Sequence, residues 1–148
     1  MKTGKIDWLL YVGIAWLFYD IFIKKTSQDD KRESEQNQEI AQSNEEPTYP
    51  DSQYYDFADV LESAMENAGT DEESIYSVFR KIKNDKDFLY LKKAFGKRTY
   101  SGELFGGLTS LVDPTEDSLE QWLQKELSSE ELTKVNKILS NNGVNYVI

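Results

Sequence analysis

The longest run of apolar residues lies near the start of the chain, at residues 8–23, where Asp20 is the only charged side chain. A helix over residues 6–23 would be about 27 Å long, slightly shorter than the roughly 30 Å hydrocarbon core of a bilayer. A run of this composition is typical of a segment that crosses a membrane. We therefore predict a single transmembrane helix, with residues 1–25 as an N-terminal membrane anchor.

The residues within and after this run favour a membrane interface. Tryptophan and tyrosine are enriched where lipid meets water, and a lysine can hold a helix end at the headgroups. A cleaved signal peptide is disfavoured, because no small-residue cleavage site follows the run. A helix buried in a soluble protein remains the alternative. The residues predicted to anchor the helix are Trp8, Trp16, Phe22, Lys24 and Lys25.

The basic residues around the run predict its orientation. Four of them follow it, at positions 24, 25, 31 and 32, and two precede it, at positions 2 and 5. Basic residues are enriched on the cytoplasmic side of membrane helices. The count therefore predicts a single-pass membrane protein with its C-terminal domain in the cytoplasm.

Residues 26–56 are rich in Gln, Ser, Asp, Glu and Asn and contain two prolines. Such a composition buries too little apolar surface to offset the entropy lost on ordering the chain. We predict a disordered acidic linker here that holds the following domain away from the bilayer. The alternative is a short recognition motif formed by Tyr49, Tyr54 and Tyr55.

From residue 57 to residue 148, apolar residues recur at intervals of three and four, which is typical of amphipathic helices packed on a common core. The complete prediction is an all-α chain with a transmembrane helix, a disordered linker and a small bundle of five to six short helices. The predicted core stripes are Phe57-Leu61-Ala64-Met65, Ile75-Val78-Phe79-Ile82, Phe88-Leu91-Ala94-Phe95, Leu104-Leu108-Leu111, Leu119-Trp122-Leu123-Leu127 and Leu132-Val135-Ile138-Leu139.

Polar residues and glycines predict where these helices begin and end. Ser or Thr followed three residues later by Glu forms a capping box, proline suits the first helical position, and glycine commonly follows a helix end. The predicted starts lie at Thr70, at Asn84 or Asp85, at Ser101, at Asp113 and at Ser128, and the predicted stops at Gly69, Gly96 and Asn142-Gly143.

Charge and composition exclude several function classes. The chain has 17 basic and 27 acidic residues, a formal net charge of −10, and no cysteine or histidine. An excess of acid disfavours nucleic acid as a partner, because phosphate binding uses Lys and Arg. Without cysteine or histidine there is no disulfide, thiolate nucleophile, imidazole base or Cys/His zinc site.

Residues 57–96, which read FADVLESAMENAGTDEESIYSVFRKIKNDKDFLYLKKAFG, resemble a single annexin-type repeat, and the resemblance covers residues 57–111. It implies a repeat of short helices with a calcium-binding loop at a membrane surface. The implied ligands are carbonyls around Gly69 and Thr70 and the carboxylate of Asp113. The resemblance is clearest at Ala64, Met65, Gly69, Thr70, Asp71, Glu72 and Ile75.

The chain departs from the annexin pattern at two places. The glycine usual two positions before Gly69 is Asn67, and a gap-free alignment puts Ser110 or Leu111 where annexins have the acidic ligand. Calcium prefers six to eight oxygen ligands, more than this loop offers. We therefore predict no cofactor, with calcium as the alternative.

Eight basic residues lie within the 19 positions from 80 to 98. Those near a helix C-terminus stabilise the helix dipole, by about 0.3–1 kcal/mol each. The functional alternative is a surface that contacts anionic headgroups or an acidic partner. The candidate contacts are Arg80, Lys81, Lys83, Lys92, Lys93, Lys97 and Arg98, with Lys86 as the eighth base.

The anchor, the linker and the lack of a catalytic motif favour a membrane-tethered binding or scaffold module and no enzyme. The layout is also similar to that of small membrane-anchored proteins of Bacteroidota and their phages, a resemblance that supplies no biochemical role. Our prediction includes a phage or bacterial envelope-associated structural protein. The expected partners are the membrane, through the N-terminal helix, and a protein of unknown identity. The alternatives are an envelope enzyme or enzyme accessory that uses the carboxylates of Asp113 and Glu116, and calcium-dependent binding to a membrane surface.

Overall fold

A computed structural model of the chain describes residues 30–66, 69–100 and 116–148. These residues are mostly helical, with one pair of two-residue strands, so the all-α prediction is confirmed at this level. The chain divides into two units, Met1–Gln38 and Glu39–Ile148. The predicted anchor at residues 1–25 and the helix predicted to begin at Ser101 lie outside the described residues.

Residues 30–42 form helix α1, within the segment that we predicted to be disordered. Nine of its 13 residues are Lys, Arg, Glu, Gln or Ala, which have high helix propensity. We predicted disorder because the segment can bury little apolar surface. Helix propensity is a separate quantity, which depends on the backbone and on side-chain entropy. The structure therefore differs from the predicted linker in this segment.

The second unit contains five further helices and two strands among its described residues. Helix α2 packs against α3, α4 and α5, and α3 also packs against α6. The strands are antiparallel, with Arg98 opposite Asp117 and Thr99 opposite Glu116. The elements are α2 (Asp51–Glu66), α3 (Glu72–Phe79), α4 (Asp85–Phe95), β1 (Arg98–Thr99), β2 (Glu116–Asp117), α5 (Leu119–Glu126) and α6 (Ser129–Asn141).

The predicted core stripes of the described helices meet in one hydrophobic cluster. Leu132 and Ile138 are only partly buried, at the edge of the cluster, and every other stripe residue in these helices is buried. Trp122 lies at the centre of one part of the core, with its ring edge-to-face to Phe95 and Tyr100. Helical periodicity in the sequence therefore predicted the buried faces of α2 to α6.

Several predicted helix ends are confirmed. Asn84 caps α4 by accepting a hydrogen bond from the backbone N–H of Asp87, and Ser128 forms a capping box with Glu131 at the start of α6. Helix α4 ends at Gly96, whose φ of +60° lies in the left-handed region that favours glycine. Asn142 ends α6, as predicted.

Two predicted helix starts are wrong. The N-cap of α3 is Asp71 and not Thr70, because the Asp71 carboxylate accepts hydrogen bonds from the backbone N–H of Ser74, at 3.1 Å, and from its hydroxyl, at 2.7 Å. Helix α5 does not begin near Asp113, because Glu116–Asp117 forms a strand and Ser118 is the N-cap. Residues 116–117, which we predicted to lie in the first turn of this helix, are instead extended and pair with β1.

The folded domain begins earlier than the predicted boundary at residue 57. Helix α2 starts at Asp51, and Tyr54 is fully buried. The Asp87 carboxylate, also fully buried, accepts hydrogen bonds from the Tyr54 hydroxyl at 2.6 Å and from the backbone N–H of Thr48 at 2.7 Å. This buried carboxylate holds the segment before α2 against α4. Of the three tyrosines in the alternative recognition motif, Tyr54 is therefore a core residue and Tyr55 remains exposed.

Candidate functional site

The predicted calcium loop lies between α2 and α3. Gly69 has a φ of +86°, and the N–H of Asp71 returns to the carbonyl of Ala64 at 2.9 Å, which closes the turn. The Thr70 hydroxyl donates to Oε2 of Glu126 at 2.7 Å. Asp113, the third predicted ligand, lies outside the described residues.

Glu126 uses both carboxylate oxygens in contacts within the domain. Oε2 accepts from Thr70, and Oε1 accepts from the hydroxyl of Tyr100. Burial, followed by the hydrogen bond to Glu126, raises the pKa of Tyr100 to about 12, so its hydroxyl remains a donor at neutral pH. These contacts join the turn before α3 to α5 and to the end of β1. Within the described ranges, no group of three acidic side chains is arranged to hold a metal ion.

Three residues of the predicted basic surface form ion pairs within the domain. Arg80 contacts Glu73 and Lys92 contacts Glu120, each at 2.6 Å. Arg98 contacts the carboxylates of Asp59 and Glu62 on α2. All three bases therefore make their ion pairs within the domain, and the Arg80–Glu73 pair lies at its exposed surface.

The other predicted basic contacts are also engaged. The Lys81 ammonium lies 5.2 Å from the centroid of the Phe57 ring, and Lys83 donates to the carbonyl of Arg80. Lys93 and Lys97 take part in interactions as well. Five of the seven predicted residues therefore make contacts within the domain, namely Arg80, Lys81, Lys83, Lys92 and Arg98.

A different surface is concave. The first turns of α3 and α6 line an open groove of about 590 Å³. The sequence predicted helix starts at Thr70 and Ser128 separately, and nothing in it indicated that the two starts are neighbours. The groove is lined by Glu72, Glu73, Tyr76, Glu130, Glu131 and Lys134.

Tyr76 and Lys134 form the centre of this acidic groove. The Lys134 ammonium lies 3.8 Å from the centroid of the Tyr76 ring, within the range of a cation–π contact. Tyr76 is only 4% exposed. Burial, followed by the negative charges of Glu131, Glu72 and Glu73, raises the pKa of Tyr76, so its hydroxyl is kept protonated.

Two carboxyls of the groove, those of Glu73 and Glu131, are poor candidates for a general acid. The hydrogen bond and charge of Arg80 hold the pKa of Glu73 below its ordinary value, and the hydroxyl and backbone N–H of Ser128 do the same for Glu131. A general acid at neutral pH needs the opposite shift. Glu116, which we considered for catalysis, lies in β2 opposite Thr99 and does not line the groove.

Glu120 lies outside the groove, and its pKa is lowered like those of Glu73 and Glu131. Burial acts to raise the pKa of Glu120, but the hydrogen bond and the charge of Lys92 together outweigh burial and hold the pKa below its ordinary value. An ionised glutamate in this position supports the Lys92 ion pair and offers no proton for acid catalysis.

In the part of the chain that the structure describes, no helix has both the length and the apolar character needed to cross a bilayer. The predicted anchor residues Trp8, Trp16, Phe22, Lys24 and Lys25 all fall outside that part. Comparison with protein-family models, with curated proteins and with solved structures found no match to this chain.

Proposed function

We propose that this chain is a single-pass, membrane-tethered binding or scaffold module, with residues 1–25 in the membrane and the helical domain as the head that binds a partner. The observation that carries the proposal is the apolar run at residues 8–23 with lysines on both sides. The domain that it tethers has a core of its own, built from α2 to α6. An anchor joined to a separate folded unit is the arrangement that a tethered binding module needs.

The proposal includes the orientation predicted from the basic residues, with the domain in the cytoplasm, and an envelope-associated structural role. Binding is favoured over catalysis because the shifted carboxyl pKa values in the described residues are lowered and not raised. The annexin-type repeat remains part of the proposal as the origin of helices α2 to α4. A calcium site has less support, because Asn67 stands where the annexin loop has a glycine.

Membrane fractionation tests the tether. We expect the full chain to remain in the membrane pellet after an alkaline carbonate wash and to be released by detergent, whereas a variant lacking residues 1–25 stays in the supernatant. A single Ile14→Asp substitution should weaken retention, because a carboxylate at the centre of a membrane helix costs about 3 kcal/mol.

The matched control for Ile14→Asp is Ser27→Asp, which adds the same charge beyond the lysines and should leave retention unchanged. Circular dichroism of the deletion variant checks that the domain is still folded. A full chain that stays in the supernatant, or a deletion that pellets equally, would contradict the proposal.

A further inference from the structure

The acidic groove between α3 and α6 has two features that helix capping does not explain. Acidic residues in a first turn are ordinary, because they interact favourably with the positive end of the helix dipole. A lysine side chain stacked on a buried tyrosine, and a tyrosine hydroxyl without a partner, are not part of that arrangement. These two features point to a ligand.

The hydroxyl of Tyr76 is the first feature. It has no hydrogen-bond partner among the described residues, although Tyr76 is 4% exposed and lines the groove. No enclosed side-chain oxygen or nitrogen of the described residues lacks a partner, so this hydroxyl opens into the groove, where water or a ligand completes its hydrogen bonding. A protonated phenol can donate to a carbonyl oxygen, such as that of a peptide backbone.

Lys134 is the second feature. Its ammonium lies over the Tyr76 ring and its charge helps to lower the pKa of both Glu73 and Glu131. The groove therefore already receives one alkylammonium group, from the domain's own helix. A second cation would find free carboxylates, since Glu72 and Glu130 have no hydrogen-bond or ion-pair partner within the described ranges.

We infer that this groove binds a lysine- or arginine-bearing peptide segment of a partner protein, with Lys134 occupying the position that an incoming cation takes over the Tyr76 ring. The inference rests on the proposed function, because it names the class of partner that the tethered domain binds. The glutamates hold the cationic side chain, and the Tyr76 hydroxyl donates to a carbonyl of the peptide backbone. Charge complementarity favours this partner over an acidic one.

The test measures binding of fluorescein-labelled tetralysine to the full chain in a neutral detergent at low salt. Tyr76→Phe should weaken binding about three- to tenfold, the value of one hydrogen bond. Its urea unfolding midpoint should not change, because the hydroxyl has no partner in the domain. Glu72→Gln combined with Glu130→Gln should also weaken binding. Asp51→Asn combined with Asp56→Asn removes the same two charges from exposed positions of α2, and this matched control should not weaken it.

Lys134 gives a change in the opposite direction. Lys134→Met removes the internal cation and keeps the apolar stem, so tetralysine should bind about two- to fivefold more tightly. Lys137→Met removes the same charge from an exposed position of α6 that does not line the groove, and should have a smaller effect. Equal gains in the two variants would mean that only net charge matters, which overturns the inference.

Three other outcomes would overturn the inference. The first is unchanged tetralysine binding in Tyr76→Phe and in the double glutamine variant. The second is equal binding of tetraglutamate, and the third is binding of calcium alone, without tetralysine, that the double glutamine variant loses. Membrane retention is measured separately, so loss of peptide binding with retention intact contradicts the groove and leaves the tether standing. Peptide binding by a chain that fails to stay in membranes contradicts the tether alone.

Discussion

We expect Asp87→Ala to lower the free energy of unfolding by about 3 kcal/mol or more, a large part of the stability of a small domain. The substitution leaves three donors without their acceptor, namely the Tyr54 hydroxyl and the backbone N–H groups of Thr48 and Lys83. Burial and the hydrogen bond to Asp87 raise the pKa of Tyr54 above its ordinary value, so in the native domain its hydroxyl is a donor at neutral pH. Urea unfolding followed by circular dichroism measures the change.

Two variants control for the Asp87 result. Asp87→Asn keeps one oxygen as an acceptor but replaces the other with an NH₂ group, which cannot accept a hydrogen bond. Its loss of stability should therefore be smaller than that of Asp87→Ala but still measurable. Asp56→Ala removes an exposed carboxylate from α2 and should change stability by less than about 0.5 kcal/mol. A loss of under about 1 kcal/mol for Asp87→Ala would contradict the view that this carboxylate holds the segment before α2.

Trp122→Ala should be as damaging as Asp87→Ala, for a different reason. The Trp122 ring is fully buried against Phe95 and Tyr100, and its indole N–H donates to the carbonyl of Arg98 at 3.3 Å. Removing such a ring leaves a cavity and costs about 3–5 kcal/mol. The same urea measurement tests this, and Trp122→Phe should retain part of the lost stability.

The control for Trp122 is Val147→Ala, because Val147 is apolar but 79% exposed. It should unfold with the wild-type midpoint. If Trp122→Ala unfolds at that midpoint as well, α5 is not part of the core, and the packing described above is wrong.

The core could be predicted from the sequence because helical periodicity depends on local spacing. Residues such as Phe79 and Leu139 recur at the intervals that put them on one helix face, and both are fully buried. The caps at Asn84 and Ser128 could be predicted for the same reason, since a cap and its target are three residues apart.

Long-range contacts could not be predicted in this way. Asp87 lies in the first turn of α4, where acidic residues are common, so its position in the sequence does not indicate a structural role. Its hydrogen bond from Tyr54 joins residues 33 positions apart and is formed only in the folded structure. The hydroxyl of Thr70, which we predicted to cap α3, instead donates to Glu126, a residue far along the chain. The acidic groove was missed for the same reason, as α3 and α6 are distant in sequence and meet only through packing.

The tether and the groove have complementary roles in the proposed function. A tether limits the domain to a thin layer next to the membrane, which raises its effective concentration toward any partner on the same membrane. A groove that binds one or two basic side chains is a weak site by itself. Confinement to a shared surface would allow such a site to hold a partner that it could not hold in solution.

Site-specific labelling tests whether the N-terminal segment lies in lipid, because the chain has no cysteine and each introduced one is unique. In inside-out membrane vesicles, we expect a membrane-impermeant maleimide to label Ser43→Cys at once but to label Ile14→Cys only after detergent is added. Labelling of Ile14→Cys as fast as Ser43→Cys in intact vesicles would contradict a lipid-embedded anchor.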